Sequence, residues 1–267
     1  MGQGKFRLVA IDLDGTLVDA QNKIAEEDAQ AVREAAAAGI EVVLASGRMH
    51  AATAAICTDL GIENPVVAYN GARVTDMRTG EVIFHQPLEK EHAAEIIESI
   101  EERGLHLNLY LDDVLHVREI DAWGKLYAER TGSVLVASGD LRQFVGTQPT
   151  KLLVIAEPER IKELYQEYAA RYGEVMYVTI TNPEYLEFMN KEVSKGKGLA
   201  KAAEYLGVPR EQVLAIGDGF NDKAMLEWAG TAVAMGNAVD EVKAVADVVA
   251  PPLEEHGVAW AIRELLL

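Results

Sequence analysis

The chain of 267 residues is poor in cysteine, in aromatic side chains and in positive charge. A single cysteine, Cys57, excludes an intramolecular disulfide and any zinc site built from several cysteines. Lys and Arg number 25 against 43 Asp and Glu, which gives a formal net charge of −18. This charge argues against nonspecific binding of nucleic acid and against docking on an anionic membrane. A phosphorylated ligand must therefore be held by a local positive site.

Long apolar runs are also missing from the sequence. No run approaches the length of a membrane span, and the N-terminus has no signal-peptide hydrophobic region before the first predicted strand. We therefore expect a cytoplasmic protein with neither membrane nor nucleic-acid partners. The composition that remains is ordinary for a globular protein, with 49% hydrophobic and 25% charged residues, and the length allows one large domain or two smaller ones.

Short apolar runs alternate with helical segments at both ends of the chain. Phe6–Ile11, Ile40–Ala45 and Pro65–Tyr69 are predicted strands, and helices are predicted after the first two. The same rhythm returns after Lys195, with a further strand at Val213–Ile216. This alternation predicts a parallel sheet with right-handed crossovers.

The middle of the chain has a different pattern. Leu105–Leu111 and Val114–Arg118, separated by Asp112 and Asp113, are typical of a hairpin, and helices lie on both sides. Hairpins mixed with helices predict an antiparallel sheet in an α+β domain. We therefore expect an α/β core formed by residues 1–86 and 191–267, interrupted by an inserted α+β domain at residues 87–190.

Carboxylates follow two of the predicted core strands. Asp12 and Asp14 end the first strand, and Asp218 follows Val213–Ile216 after one glycine, Gly217. Open α/β sheets bind ligands at this edge, and carboxylates brought together there need a hard divalent cation. The pattern predicts a Mg²⁺ site that includes Asp12, the Asp14 carbonyl and Asp218. Asp14-Gly15 alone is also common turn chemistry, and Asn221 and Asp222 could equally cap the next helix.

A positive site for phosphate is expected on neighbouring loops. Ser46-Gly47-Arg48 follows the second strand at a predicted helix N-terminus, where anions bind readily, although Ser46 could also act only as a cap. Lys191, Lys195 and Lys197 are candidates for the cation that faces the phosphate. Lys195 is the best placed of the three because it precedes the helix that leads back to Asp218. Asn70-Gly71 follows the third strand, where a turn is at least as good an interpretation as contact with a substrate hydroxyl.

Taken in order, Asp12–Thr16, Ser46, Lys195 and Gly217–Asp222 resemble the four motifs of the haloacid dehalogenase superfamily of phosphohydrolases. The long insertion, with Val193-Ser194-Lys195-Gly196 and Ala234-Met235-Gly236-Asn237-Ala238, is similar to the Cof-like sugar-phosphatase subgroup with a type-two (IIB) cap. The resemblance covers essentially the whole chain. It implies a Rossmann-like core with a parallel sheet and an inserted α+β cap with an antiparallel sheet.

The resemblance also implies roles for individual residues. Asp12 would be the nucleophile and a metal ligand, and Asp14 the general acid/base and a metal ligand. Asp218 would bind the metal directly, with Asp222 supporting it. Phosphate would be held by Ser46, Lys195, Asn221 and the backbone amides of Leu13 and Gly47, and substrate contacts are expected at Asn70 and Arg48.

The function expected from these motifs is that of a Mg²⁺-dependent phosphatase acting on small phosphorylated metabolites, sugar phosphates foremost. A phosphomutase or phosphotransferase on hexose phosphates is the alternative if the aspartyl-phosphate is shielded from water. A non-catalytic phosphate-sensing regulator is disfavoured because Asp12, Asp14, Lys195 and Asp218 are all present. A dinucleotide oxidoreductase is disfavoured because carboxylates at the end of the first strand would repel a pyrophosphate.

Overall fold

The computed structural model describes residues 6–267, which form two compact units. One unit comprises the described residues up to Phe84 together with Ser194–Leu267, and the other is His85–Val193. No helix within the described range is long and apolar enough to cross a lipid bilayer.

The helices and strands of the two units have the following bounds. The strands are β1 (Leu8–Asp12), β2 (Glu41–Ala45), β3 (Val66–Ala68), β4 (Arg73–Thr75), β5 (Val82–His85), β6 (His106–Leu111), β7 (Val114–Val117), β8 (Leu135–Ala137), β9 (Lys151–Ile155), β10 (Met176–Asn182), β11 (Tyr185–Asn190), β12 (Val213–Gly217), β13 (Thr231–Ala234) and β14 (Val248–Val249). The helices are α1 (Glu26–Ala37), α2 (His50–Leu60), α3 (Lys90–Glu102), α4 (Ala122–Thr131), α5 (Pro158–Tyr172), α6 (Lys195–Leu206), α7 (Lys223–Trp228), α8 (Asp240–Lys243) and α9 (Gly257–Leu265).

The strands form two sheets of different character. The first has the order β14-β13-β12-β1-β2-β3-β4-β5; from β14 to β3 its neighbours run parallel, and β4 is antiparallel to β3. The second has the order β10-β11-β9-β6-β7-β8 and is antiparallel except for the β7–β8 pair. The predicted fold class, an α/β core with a parallel sheet and an α+β portion with an antiparallel sheet, is confirmed.

The two halves of the first unit meet at β1 and β12. Both strands are buried along their whole length, as expected for apolar runs in a parallel sheet covered on both faces. They pair in register from Leu8 opposite Val213 to Ile11 opposite Ile216. Because both strands run in the same direction, the residues that follow them, including Asp218, emerge at the same edge as Asp12.

The second unit buries an apolar face of its sheet beneath α3 and α5. In α3, Ala93, Ile96, Ile97 and Ile100 follow the spacing that places side chains on one helix face, and all four are buried. They belong to the same core cluster as Leu107 and Leu109 of β6, Leu152 and Val154 of β9, and Leu186 and Phe188 of β11. The alternation of these strand residues places them on a single face of the sheet.

Several local predictions differ from the structure in their bounds. The helix expected directly after Ser46 begins only at His50, so residues 46–49 form a loop. The helix that Asn221 and Asp222 were expected to cap is a 3₁₀ turn at Phe220–Asp222 followed by α7. Strand β8 was not predicted, because its three residues are at most half-buried and carry little periodicity.

Gly71 offers a test of how tightly the first unit is packed. Its φ is +94°, and a Cβ added there would lie 2.0 Å from the carbonyl oxygen of Ser194. Gly71→Ala should therefore lower the free energy of unfolding by about 3–5 kcal/mol. Gly39 is the matched control, because its φ of +84° is similar but a Cβ there would meet nothing within 4 Å.

Urea denaturation of the two variants measures the difference. Gly39→Ala should cost only the left-handed backbone strain of about 1–2 kcal/mol. Equal losses in both variants would contradict the close contact between Gly71 and Ser194.

Candidate active site

Four loops meet at the carboxyl edge of the parallel sheet. Asp12 is the last residue of β1, and Ser46, Tyr69 and Asp218 directly follow β2, β3 and β12. These four strands are neighbours in the order β12-β1-β2-β3. The fold therefore places the predicted functional loops side by side, at the edge where open α/β sheets bind their ligands.

The loop after β1 is tightly wound. The carbonyl oxygen of Leu13 accepts hydrogen bonds from the amides of Thr16, Leu17 and Val18 at 3.2, 2.9 and 2.8 Å. Gly15 has a φ of +88°, and a Cβ there would lie 2.4 Å from a carboxylate oxygen of Asp218. Only glycine allows this close approach between the β1 and β12 loops.

A buried cluster of charges lies beneath this loop. Carboxylate oxygens of Asp12, Asp218 and Asp222 lie within 4.8 Å of one another. The Lys195 ammonium donates a hydrogen bond to Asp12 Oδ1 and another, of 2.6 Å, to Asp222 Oδ1, and the lysine side chain is only 1% exposed. The structure thus brings together Asp12, Lys195, Asp218 and Asp222 from four separate places in the chain.

The carboxylates of this cluster are difficult to ionise together. Burial raises the pKa of Asp12 well above its usual value, and repulsion from Asp222 adds to the rise, while Lys195 opposes it. Burial likewise raises the pKa of Asp218. Burial alone would lower the pKa of Lys195, but the carboxylates of Asp12 and Asp222 outweigh it and raise the pKa. The lysine is therefore a permanent cation.

The donor set fits a divalent metal ion. Three ionised carboxylates against one ammonium leave two negative charges in a buried site. Hard carboxylate oxygens are the ligands that Mg²⁺ and Ca²⁺ prefer. A bound cation would offset the repulsion from Asp222, which adds to the effect of burial in raising the pKa of Asp12 and Asp218.

Asp222 is the most constrained member of the cluster. Its Oδ2 accepts hydrogen bonds from the amides of Asp218 and Gly219 at 3.0 and 2.9 Å, while Oδ1 accepts from Lys195. These contacts fix the loop after β12 and the position of the lysine. They favour a supporting role for Asp222 beside the metal site, with Asp12 and Asp218 as the direct carboxylate ligands.

The predicted phosphate-binding residues lie on adjoining loops. The Ser46 hydroxyl oxygen is buried and accepts a hydrogen bond of 3.1 Å from the Arg48 amide, which shapes the turn around Gly47. Asn70 Oδ1 accepts a hydrogen bond of 2.9 Å from Asn221 Nδ2, and a Cβ on Gly47 would lie 3.0 Å from the same oxygen. Asn70 therefore connects the β2, β3 and β12 loops.

Asp14 lies outside the acidic cluster. Its carboxylate forms a two-point ion pair with the guanidinium of Arg48. The structure thus pairs one predicted catalytic residue with one predicted substrate residue.

Two residues that lie in the quoted motifs hold the loops together through contacts that the sequence did not predict. The Thr16 hydroxyl donates to Asp218 Oδ1 at 2.8 Å. Asn237 Nδ2 donates to the Gly15 carbonyl oxygen at 2.8 Å, while its Oδ1 accepts from the Leu253 amide at 2.9 Å. The signal available for Asn237 was the Gly236-Asn237 pair, which is typical of a turn.

Known proteins resemble this chain in sequence and in fold. A model of the haloacid dehalogenase-like hydrolase family matches residues 9–262, and the chain belongs to that family. Phosphatase YwpJ of Bacillus subtilis is 31% identical over 286 residues, covering 98% of this chain and 100% of its own.

A second curated relative and a solved structure are also similar to this chain over nearly its whole length. The 5-amino-6-(5-phospho-D-ribitylamino)uracil phosphatase YitU of B. subtilis is 32% identical over 268 residues, or 96% of each chain. The crystal structure of TM0651 from Thermotoga maritima superposes with a TM-score of 0.91 at 34% identity, covering 98% of each chain. The predicted family and enzyme class, a phosphoric monoester hydrolase, are confirmed.

The raised pKa values predict how a cation affects stability. The unfolded Asp pKa is about 3.9, and the folded pKa of Asp12 and Asp218 is higher. The folded chain then binds more protons than the unfolded chain, so without metal the free energy of unfolding falls as pH rises through the folded pKa values. Adding MgCl₂ at 100 times its Kd should restore about 2.7 kcal/mol, or about 5–10 °C in Tm.

Thermal melts at pH 5 and pH 7.5, with EDTA or MgCl₂, measure this effect. The gain should be larger at pH 7.5, where fewer protons compete with the metal. Asp218→Asn should abolish the gain, whereas Asp59→Asn, on an exposed position of α2, should keep it. A gain unaffected by Asp218→Asn would place the cation elsewhere.

Proposed function

We propose that this protein is a Mg²⁺-dependent phosphatase that hydrolyses small phosphorylated metabolites, sugar phosphates foremost, through an aspartyl-phosphate on Asp12. The observation that carries the proposal is the buried Asp12 carboxylate at the tip of a central strand, with the Lys195 ammonium on it and Asp218 beside it. A carboxylate in this position can attack phosphorus, and the fixed cation offsets the charge that accumulates.

In the first half-reaction, a carboxylate oxygen of Asp12 attacks the phosphorus atom of the ester. The bond from phosphorus to the leaving oxygen breaks, and the leaving oxygen takes a proton from the carboxyl group of Asp14. The products are an alcohol and the acyl phosphate on Asp12. Proton donation matters here because an alkoxide is a poor leaving group.

In the second half-reaction, Asp14 is a carboxylate and takes a proton from water. The water oxygen attacks phosphorus, the bond between phosphorus and the Asp12 oxygen breaks, and inorganic phosphate leaves. The Asp12 carboxylate is restored. One residue thus acts first as acid and then as base.

Charge and position are controlled by groups around these two aspartates. Lys195 neutralises part of the charge on Asp12 and the phosphoryl group. Asp12, Asp218 and the Asp14 carbonyl, with support from Asp222, would hold Mg²⁺, which would supply further positive charge against the phosphate oxygens. The phosphoryl oxygens are held by Ser46, Asn221 and the amides of Leu13 and Gly47.

A relative supports the proposed substrate class. The name of YitU specifies a phosphorylated ribityl group, which is a sugar-alcohol phosphate. We assign residues 1–86 and 191–267 to the catalytic core and residues 87–190 to a cap domain. Asn70 is the proposed substrate-contacting residue of the core, whereas the guanidinium of Arg48, which the sequence also suggested for substrate contact, is occupied by the Asp14 carboxylate.

The test is release of inorganic phosphate from a panel of phosphorylated sugars and related metabolites, with MgCl₂ and then with EDTA. Release should require the metal, and Asp12→Asn should lower kcat by more than about a thousandfold while the circular dichroism spectrum stays unchanged. Asp59→Asn, an exposed Asp-to-Asn change in the same unit, is the control and should retain full activity.

The outcomes separate the candidate functions. Residual Asp12→Asn activity within a few-fold of the unmodified protein would overturn the proposed nucleophile. Transfer of phosphate between sugar hydroxyls without net release would identify a mutase, and binding of a sugar phosphate without turnover would identify a regulator.

A further inference from the structure

Arg48 directs three hydrogen bonds at two side chains. Its Nε donates to Asp14 Oδ2 at 3.0 Å, and its Nη2 donates both to Asp14 Oδ1 and, at 2.7 Å, to Asn22 Oδ1. A two-point contact between guanidinium and carboxylate fixes the plane as well as the position of the carboxylate. The Arg48 side chain is 20% exposed and that of Asp14 is 58% exposed.

The guanidinium is itself held from two directions. The Arg48 backbone is anchored because its amide donates to the Ser46 hydroxyl oxygen and its carbonyl accepts from the Tyr69 amide at 2.8 Å. Asn22 lies in a turn where Asp19 Oδ1 accepts hydrogen bonds from the amides of Gln21 and Lys23 at 2.8 Å. A hydrogen-bonded loop and a hydrogen-bonded turn therefore meet at this one side chain.

The charges of the site are divided between two cations. Lys195 pairs with Asp12 and Asp222, while Arg48 pairs with Asp14. Asp14 is only two residues from Asp12, so without its own cation its carboxylate would be attracted to the inner lysine and to any bound metal ion. An Asp14 side chain drawn inward could no longer serve the leaving oxygen.

We propose that Arg48 is the positioning residue that keeps the Asp14 carboxyl group at the outer side of the site, where it protonates the leaving group, and that Asn22 holds the guanidinium in place. The inference rests on the proposed function and extends it. Arg48 acts through Asp14, so its effect appears only where a proton donor is needed.

Leaving-group chemistry separates this role from a general structural one. A p-nitrophenolate leaves without a proton, whereas the alkoxide of a sugar phosphate needs one. The parameter kcat/KM includes only steps up to formation of the aspartyl-phosphate, so it reports the acid role of Asp14 and not its later role as base.

The experiment measures kcat/KM for p-nitrophenyl phosphate and for the best sugar phosphate of the panel. Arg48→Gln should lower the value for the sugar phosphate by about 10- to 100-fold and the value for the aryl phosphate by less than about threefold. Arg48→Lys keeps the charge but not the two-point hydrogen bonding of the guanidinium. Its kcat/KM for the sugar phosphate should lie between those of Arg48→Gln and the unmodified protein. Arg33→Gln, which removes an exposed ion pair with Glu26, is the control.

A double variant gives the decisive comparison. Adding Arg48→Gln to Asp14→Asn should cause no further loss with the sugar phosphate, because both changes remove the same function. Additive losses would show that Arg48 binds the substrate directly and would overturn the proposal. Equal losses with both substrates in Arg48→Gln would also overturn it.

Asn22→Gly tests the same idea if Arg48→Gln fails to fold, because glycine adopts the φ of +59° at this position without strain. It leaves both charged side chains in place, removes the oxygen that accepts from Arg48, and should lower the sugar-phosphate to aryl-phosphate ratio of kcat/KM by about threefold. An unchanged ratio in Asn22→Gly would contradict the proposal. Failure of the broader function is distinct, because it would appear as an inactive unmodified protein or an active Asp12→Asn.

Discussion

The site depends on the ion pairs that the buried Lys195 ammonium forms with Asp12 and Asp222. Removing one partner of a buried ion pair leaves an uncompensated charge and costs about 3–5 kcal/mol. The lysine begins α6, whose N-terminus is capped by the Ser194 hydroxyl oxygen, which accepts from the Lys197 amide at 3.1 Å. The Ser194 carbonyl in turn lies so close to Gly71 that no side chain fits there. The charged centre is thus supported by the backbone packing of a helix start against the β3 loop.

Much of the fold and the centre of the site could be predicted from residue patterns. Apolar runs ending in Asp12 and Asp218 indicated parallel strands with carboxylates at one edge, and the structure brings these two residues together. The contacts of Thr16 and Asn237 could not be predicted, because each joins loops more than 200 residues apart in the chain. Their geometry depends on strand register and loop curvature. Neither property leaves a periodic signal in the sequence.

The acidic residues of the site have different functions because their surroundings differ. Asp12 and Asp218 lie in a buried cluster whose excess negative charge fits a divalent cation. Asp222 is occupied by two backbone amides and the lysine. Asp14, outside the cluster, is exposed and paired with Arg48. In the proposed mechanism these four chemically identical side chains serve as a nucleophile, a metal ligand, a loop support and a proton carrier, and they differ in whether Lys195 or Arg48 is their cationic partner.

The most direct test of this account is chemical trapping of the phosphorylated residue. Asp14→Asn protein should accumulate the acyl phosphate because it lacks the base for hydrolysis. Acid quenching after mixing with p-nitrophenyl phosphate and Mg²⁺, borohydride reduction and peptide mass spectrometry would then locate the modified residue. The account predicts homoserine at position 12. Phosphate on any other residue, or turnover with no covalent phosphate on the protein, would contradict it.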